Sequence, residues 1–331
     1  MATVVPWGGG LKMTFLEQLD EQGYVVVDDV LDPDRDFEPL FDEYNQVLDD
    51  IARRLVEDGL LRSTYAELPF ERRLIAVCQE SGKNFPQHFD FTLPQKGITP
   101  DTPIHAGPAV FRVLTRPRLL DLVEQVVGGE IYSNPVQHVR MKLPARAVEA
   151  GLTHSLVTSV PWHQDNGVIM PEADEATILT VWMPVNPATV DNGCLQVIPR
   201  SHRGDLQPHC PGKSTVAIPD RFLEADAAVP LPMKPGSVLL MHQRTIHSSL
   251  ENVTGDQVRI SLDLRYQPIG QATGRPAFAS AGFVARSRAH PEQVLSDAAT
   301  WEHNWLVLRD RLAAEENPTF NRWSADAPVC A

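Results

Sequence analysis

The sequence predicts a β sandwich or barrel with helices packed against it, and two observations lead to this fold class. The first ~125 residues carry apolar residues at helical spacing, whereas from Ile131 onward the chain consists of short β-branched or aromatic runs. Turn-rich segments such as Asp191-Asn192-Gly193 and Lys234-Pro235-Gly236 separate these runs, a pattern typical of sandwiches and barrels. The sequence shows no repeat and no convincing linker. Residues 1–331 are therefore predicted to form one domain: mainly helical over 1–130, a β core over 131–270 and a C-terminal extension over 271–331.

The N-terminal part begins with a predicted helix over residues 14–22. Thr14 and Glu17 have the spacing of a capping box, and Gly23 is placed to end the helix before a strand over Tyr24–Val27. Asp32-Pro33 is predicted to start the next helix.

The rest of the chain is predicted as follows. Residues 86–112 are rich in Pro and His and are expected to be irregular, and Thr115 is expected to cap a helix over Pro117–Val127. A last helix is predicted over Ala298–Ala314. The predicted strands are Ile131–Leu143, Leu156–Trp162, Ala176–Met183, Cys194–Ile198, Ser237–Met241 and Val258–Tyr266.

Composition excludes several classes of function. The chain has 43 acidic and 29 basic residues, a net charge of −14, which disfavours a nucleic-acid-binding surface. No apolar stretch approaches the ~18 residues of a membrane span, and the N-terminus does not resemble a secretory signal. The four cysteines are scattered, with no C-x-x-C pair, so no disulfide framework is expected. A cytoplasmic protein acting on a small molecule is the resulting expectation.

The candidate chemistry begins at Trp162-His163-Gln164-Asp165. In an extended strand alternate side chains share a face, so His163 and Asp165 would point together into one cavity. Two histidines and one carboxylate form the site that holds non-haem Fe(II) and leaves positions open for oxygen and substrate. The triplet alone is common, and the hypothesis depends on a third ligand downstream.

Two histidines compete for that third position. His242 and His247 follow the turn and strand that begin at Lys234, and in a continuous strand they would face opposite ways. His247 is preferred, because Ser248 and Ser249 follow it and Arg259 lies twelve residues further on.

Arg259 is the candidate anchor for an anionic cosubstrate. A buried arginine needs an anionic partner, and its planar fork fits a carboxylate. Ser261 or Ser249 could add a hydroxyl donor, while Arg265, on the same face of the strand, is the rival candidate. A structural salt bridge is the alternative role for either arginine.

Taken in order, these motifs resemble the phytanoyl-CoA dioxygenase family of Fe(II)- and 2-oxoglutarate-dependent oxygenases. The resemblance covers residues 14–270 and is much more specific than any one motif. It is carried by Trp162-His163-Gln164-Asp165, Val181-Trp182-Met183-Pro184-Val185, the stretch from Asp191 to His202, Pro235-Gly236-Ser237, His247 and Arg259.

The resemblance implies a double-stranded β-helix (jelly-roll) core flanked by helices. It implies that His163, Asp165 and His247 bind and activate iron, the catalytic centre, and that Arg259 binds 2-oxoglutarate. The other positions that match the cosubstrate pocket are Gln164, Trp182, Ser249 and Gln137, the last of them on a strand Val136–Lys142. Strand parity, however, directs Gln164 away from the metal, so we expect the strand to end or twist there.

The implied reaction uses Fe(II), 2-oxoglutarate and O₂ to hydroxylate or otherwise oxidise an unactivated C–H bond of a metabolite or natural-product intermediate, releasing succinate and CO₂. Related halogenases lack the carboxylate ligand, so the presence of Asp165 favours hydroxylation or another oxidation. The alternatives are a cupin-like metal-binding isomerase and a non-catalytic jelly-roll protein.

The substrate is the least determined part of the reading. Lys142 and Arg286 are candidate substrate contacts, with Arg288 a further one, although surface salt bridges are the commoner fate of such arginines. The segment between Pro144 and Ser159 matches the family poorly and is expected to form part of a substrate lid.

Overall fold

The fold is known from a computed structural model, which describes residues 13–147, 160–212, 215–315, 319–320 and 322–330. Its centre is a jelly-roll of two antiparallel sheets. The large sheet has seven strands in the order β1-β9-β4-β11-β2-β12, with β3 pairing β11 beside β2. The small sheet has the order β10-β5-β8. The described strands are β1 Tyr24–Val27, β2 Glu130–Ser133, β3 His138–Lys142, β4 Leu179–Pro184, β5 Leu195–Val197, β6 Cys210–Pro211, β7 Val216–Ala217, β8 Val229–Leu231, β9 Val238–His242, β10 His247–Ser249, β11 Arg259–Pro268 and β12 Phe283–Ser287.

Strand alternation decides what each face of the large sheet contacts. On β4 the side chain of Trp182 packs with Leu195 and Leu231 of the small sheet, so this face closes the jelly-roll. Its neighbours Val181 and Met183 belong to the core on the opposite face, which packs against the helices. Every residue of β4 is buried as a result.

The helices cover the outer face of the large sheet. They supply an apolar core that includes Tyr44, Leu119, Trp301 and Trp305. The described α-helices are α1 Phe15–Gln22, α2 Pro33–Asp36, α3 Glu38–Glu57, α4 Phe70–Ser81, α5 Pro86–Phe89, α6 Pro108–Leu114, α7 Pro117–Val127 and α8 Ala298–Ala314. None of them is long and apolar enough to cross a membrane.

The predicted N-terminal helix is confirmed together with its caps. The Thr14 hydroxyl accepts a hydrogen bond from the Glu17 backbone N–H at 3.2 Å, and the Glu17 carboxylate accepts from the Thr14 N–H at 2.7 Å. Gly23 ends the helix at φ 82°, and a Cβ there would lie 2.4 Å from the His202 ring. A side chain at position 23 would therefore be strained by both backbone and contact.

Two helix predictions were wrong. Residues 86–112, expected to be irregular, contain α5 and most of α6, which begins at Pro108. Thr115 ends α6 instead of capping α7, and its hydroxyl donates to the Phe111 carbonyl at 2.8 Å. In the sequence, Thr115 followed by Pro117 has the pattern of a helix start. That pattern does not reveal that another helix, α6, ends at the same place.

The strand predictions hold in part. The run Ile131–Leu143 is two strands, β2 and β3, because the chain leaves the sheet between Ser133 and His138. Most of the predicted strand Leu156–Trp162, most of the expected lid and residues 1–12 lie outside the described residues.

The sequence predicts no disulfide framework, but the structure contains one disulfide. Cys210 and Cys330 form a disulfide across 120 positions of sequence, while Cys78 and Cys194 are free and buried. Cys210 lies on β6 of the small β6–β7 hairpin, so the bond fastens the end of the chain to that hairpin.

Candidate metal centre

The structure brings together the three side chains that the sequence singled out as metal ligands. His163 and His247 form an antiparallel bridge with N–H···O distances of 3.0 Å in both directions. Asp165 begins a 3-10 helix, Asp165–Val168, that turns its carboxylate back toward the two rings. One ligand atom from each residue lies within 4.8 Å of the other two, and the ring centroids are 4.2 Å apart. The rival His242 lies at the exposed end of β9, beside His202.

Backbone carbonyls fix the two imidazoles in the state that a metal requires. Nδ1 of His163 lies 2.9 Å from the Pro161 carbonyl, and Nδ1 of His247 lies 2.9 Å from the Thr245 carbonyl. A carbonyl oxygen only accepts, so each Nδ1 carries the proton and each Nε2 keeps a lone pair for a metal. Burial, and then the neighbouring His247, holds the pKa of His163 well below its usual value, which keeps that ring neutral.

The Asp165 carboxylate is ionised and held on both oxygens. The Thr180 hydroxyl donates to Oδ2, and the Arg265 guanidinium donates to Oδ1. Burial opposes ionisation, but the positive charge of Arg265, together with the Thr180 hydrogen bond, outweighs it, so the pKa of Asp165 lies below its ordinary value. Two oriented imidazoles and one carboxylate are a donor set that fits a divalent transition metal such as Fe(II).

The candidate metal site opens onto a cavity of about 530 Å³. This volume is within the range of sites that enclose small molecules. His163 and His247 line it together with Trp182 and Arg259.

Arg259 is a buried cation with no carboxylate partner within 4.0 Å among the described residues. It is 1% exposed, its Nε donates to the Gly193 carbonyl at 3.2 Å, and Nη1 donates to Ser261 Oγ at 2.5 Å. Its guanidinium lies over the Trp182 ring, 5.5 Å from the centroid. Burial lowers the pKa of Arg259 to about 10, so it is still charged at neutral pH. A buried cation of this kind is suited to receive a carboxylate.

Lys142 lies directly opposite Arg259 in the β3–β11 register. Its Nζ donates to Ser249 Oγ at 2.6 Å and to the Leu250 carbonyl. Burial, and then the charge of Arg259, lowers the pKa of Lys142 to about 6. Lys142 therefore lies beside Arg259. This position does not support the prediction that Lys142 contacts the substrate.

Two residues expected near the cosubstrate are engaged elsewhere. The Gln164 side chain donates to the Arg244 carbonyl at 2.8 Å and accepts from the Gln207 N–H at 2.7 Å, which directs it away from the metal ligands. The extended pairing stops before this residue, since His163 makes an isolated bridge and Asp165 begins the 3-10 helix, in agreement with the expectation that the strand ends or twists there. Gln137 lies before β3, not in it, and its Nε2 donates to Ser133 Oγ at 3.4 Å.

The predicted substrate contact at Arg286 was wrong. Its guanidinium donates to Asp121 at 2.8 Å and to Glu124 at 2.6 Å, and Arg288 bonds the same Glu124 at 2.7 Å. Both arginines are ion-paired against α7, which was the alternative considered for them.

The roles of Thr180 and Arg275 were not foreseen. Thr180 lies on β4 and reaches Asp165 across the cavity wall, a contact that depends on sheet pairing. Arg275 lines the cavity although it lies outside the strands. Strand parity was the available signal for Arg265, which shares a face with Arg259.

A jelly-roll with a two-histidine, one-carboxylate cluster beside a buried arginine is the arrangement of non-haem oxygenases. The family model for phytanoyl-CoA dioxygenase (PhyH) matches residues 19–261, and the chain therefore belongs to the phytanoyl-CoA dioxygenase family.

The identity between the chain and individual curated relatives is about a third or less. The chain is similar to a 1-deoxypentalenic acid 11-beta-hydroxylase of Streptomyces arenae, 34% identical over 170 residues, with 48% of this chain and 56% of the relative covered. It is also similar to the peroxisomal phytanoyl-CoA dioxygenase of Homo sapiens, 28% identical over 166 residues, with 48% and 46% covered. The chain thus spans about half the length of these curated relatives, at 56% and 46%.

Among solved structures, the fold is similar to that of a non-haem monooxygenase, ThoJ, in its apo form. The TM-score is 0.54 at 16% identity, with 89% of this chain and 95% of that chain covered. This likeness supports the jelly-roll fold.

Proposed function

We propose that the protein is an Fe(II)- and 2-oxoglutarate-dependent dioxygenase that hydroxylates or otherwise oxidises an unactivated C–H bond of a small molecule. The observation that carries the proposal is that the cluster of His163, Asp165 and His247 faces, through its two histidines, a cavity that is also lined by Arg259, a buried cation with no carboxylate partner among the described residues. A metal site alone would also fit an isomerase or a binding protein. A 2-oxo diacid requires, besides the metal site, a separate cation that binds its second carboxylate.

Each residue has a defined task in this proposal. His163, Asp165 and His247 would hold Fe(II), which when bound supplies the redox chemistry by which O₂ and 2-oxoglutarate become succinate and CO₂ as the substrate is oxidised. Arg259 would bind the distal carboxylate of 2-oxoglutarate, with Ser261 positioning its guanidinium at 2.5 Å. Trp182 forms the wall beside this arginine.

Enclosure is the second contribution of the protein. Arg259 is 1% exposed and Asp165 2% exposed, so the charges that would orient the cosubstrate act away from bulk water. Electrostatic interactions are stronger there than at a solvated surface. The same burial excludes water from a site whose chemistry generates a strong oxidant.

Anaerobic titration tests the proposal. Addition of Fe(II) and then 2-oxoglutarate is expected to produce the weak visible charge-transfer band of a chelated 2-oxo acid. Asp165→Ala should lose bound iron and with it the band. A wild-type protein that binds a divalent metal without developing the band would favour the isomerase or binding-protein alternative.

The substrate proposed is a small metabolite or a natural-product intermediate. The relative from Streptomyces arenae, 34% identical, is named as a hydroxylase of 1-deoxypentalenic acid, and this supports a small carbon skeleton as substrate. Substrate-dependent release of succinate, measured over a panel of candidate metabolites that includes this acid, is the corresponding assay. We propose that the reaction takes place in the cytoplasm. Cell fractionation tests this, because recovery of the protein outside the cytoplasmic fraction, which the Cys210–Cys330 disulfide would favour, would contradict it.

A further inference from the structure

The cavity is basic in a protein that is acidic. Five basic and two acidic side chains line it in addition to three histidines, whereas the whole chain has a net charge of −14. The basic residues are Lys96, Arg140, Arg259, Arg265 and Arg275, and the acidic ones are Asp90 and Asp263. A cleft lined by one sign of charge attracts ligands of the opposite sign.

Two of the arginines already have a task. Arg259 is the proposed partner of the distal carboxylate of 2-oxoglutarate, and Arg265 is bonded to Asp165. Lys96, which is exposed, Arg140, which is half-buried, and Arg275, which is 1% exposed, have no acidic side chain within 4.0 Å among the described residues.

Arg275 is the most unusual of these three. Its Nη2 donates to the Val168 carbonyl at 2.7 Å, but Nε and Nη1 are buried with no hydrogen-bond partner in the described part of the chain. The Phe278 and Phe320 rings lie 5.9 and 5.8 Å from its guanidinium carbon. Burial, followed by the charge of Arg265, lowers the pKa of Arg275 to about 9, so it remains a cation at neutral pH. A buried, under-bonded cation is costly to maintain without a ligand.

The position of Arg275 separates it from the cosubstrate end of the cavity. Val168, to which it is bonded, closes the 3-10 helix that begins with Asp165, and Arg265 is its charged neighbour. Arg259 and Arg265 are six residues apart on β11, which corresponds to about 20 Å along a strand. Arg275 therefore lies at the Arg265 end, away from the place proposed for the distal carboxylate.

We propose that Arg275 anchors a carboxylate of the primary substrate, so that the enzyme acts on an apolar organic acid. This inference rests on the proposed function, since it assigns the ligand that shares the cavity with 2-oxoglutarate. A monoanion is favoured over a phosphate dianion because the rings of Phe278 and Phe320 lie beside the anchor. Apolar side chains on the rest of the wall, among them Val136, Val139 and Met141, suit the body of such an acid.

Matched pairs of acids and primary amides test the inference without knowledge of the substrate. The pairs range in size from benzoate and benzamide to adamantane-1-carboxylate and its amide, and calorimetry measures binding with and without Fe(II) and 2-oxoglutarate, under anaerobic conditions. In wild-type protein at least one acid should bind tenfold or more tightly than its amide. In Arg275→Gln this preference should disappear, with a loss of about 30-fold in acid affinity. Arg275→Lys, which keeps the charge, should retain part of it.

Controls separate the possible outcomes. Arg286→Gln removes an arginine that is ion-paired outside the cavity and should leave acid binding unchanged. No acid preference in wild-type protein, or a preference that persists in a folded Arg275→Gln variant, overturns the inference. Weaker 2-oxoglutarate binding in Arg275→Gln also overturns it, because Arg275 would then belong to the cosubstrate site. A missing charge-transfer band with an intact acid preference contradicts the proposed function and leaves the anion site standing.

Discussion

The Arg265 guanidinium donates a hydrogen bond to Oδ1 of Asp165, while the Thr180 hydroxyl donates to Oδ2 of the same carboxylate. Two donors thus fix the orientation of the candidate metal-binding carboxylate. Arg265 also donates to the Val136 carbonyl, which fixes the guanidinium itself. Partners of this kind set the direction in which a ligand presents its lone pairs.

Loss of the Thr180 hydroxyl should weaken metal binding. Thr180→Val keeps the shape of the side chain but removes the donor to Asp165, so the carboxylate loses one of its two restraints. We expect Fe(II) or Mn(II) affinity, measured by competition with a chelator, to fall by about 10-fold to 100-fold. Thr180→Ser retains the hydroxyl and should bind metal nearly as well as wild type. Equal affinities for the Val and Ser variants would show that the hydroxyl has no part in metal binding.

The distal carboxylate of 2-oxoglutarate is expected at Arg259. Arg259→Ala should lower 2-oxoglutarate affinity by about two to three orders of magnitude, since leaving a buried charge unpaired costs about 3–5 kcal/mol. The visible charge-transfer band, titrated anaerobically, gives the affinity. Ser261→Ala removes only the group that positions Arg259 and should cost less. If Arg259→Ala bound 2-oxoglutarate normally, the assignment would pass to Arg265.

The metal centre was predictable because its signals are local. The separation of His163 and Asp165 by one residue places both on one side of an extended backbone, and parity also directed Gln164 away from the site, as observed. Family resemblance and parity disagreed over Gln164, and the hydrogen bonds of its side chain agree with parity. Parity likewise placed Arg265 on the same face as Arg259.

The remaining features depend on register and tertiary contacts, which a single sequence does not encode locally. Thr180 reaches Asp165 because β4 pairs with β11, and Arg275 reaches the cavity from a segment beyond the sheet. Cys210 and Cys330 were too far apart in sequence for a pairing to be inferred. Thr115 has the residue type of a helix start but the position of a helix end.

Lys142 should make the stability of the protein depend on pH. Its pKa is about 6 in the folded protein, lowered first by burial, whereas an unfolded lysine has a value near 10.4. Between these values the unfolded chain binds more protons, so the free energy of unfolding should rise with pH, by up to about 1.4 kcal/mol per pH unit from this residue. Below about pH 6 both states are protonated and the dependence ends.

Lys142→Met is the variant that isolates this contribution. Urea unfolding of wild type and variant at several values between about pH 6.5 and 9 should give a stability difference that moves in favour of wild type as pH rises. Parallel pH profiles for the two proteins would contradict a neutral, buried Lys142.

The C-terminal segment is fastened to the helix that carries Asp165. Arg322 donates to the Asn166 carbonyl at 3.2 Å and to Asp174 at 2.6 Å, and Trp323 Nε1 donates to the Gly167 carbonyl at 2.5 Å. Seven residues beyond Trp323, the disulfide from Cys330 holds this segment to Cys210. The bond therefore acts on residues that directly follow a candidate metal ligand.

Breaking the disulfide should destabilise the protein and loosen the metal centre together. A bond that closes a long loop typically contributes about 2–4 kcal/mol, so Cys330→Ser should lower the free energy of unfolding by an amount in that range. Because Arg322 and Trp323 would then hold the Asp165–Val168 helix less firmly, metal affinity should also fall. Reductant should reproduce both effects in wild type and should cause no further change in Cys330→Ser. Cys78→Ser, which alters a buried free thiol, is the control and should respond to reductant as wild type does. Loss of stability with unchanged metal affinity would mean that the segment stabilises the fold without positioning Asp165.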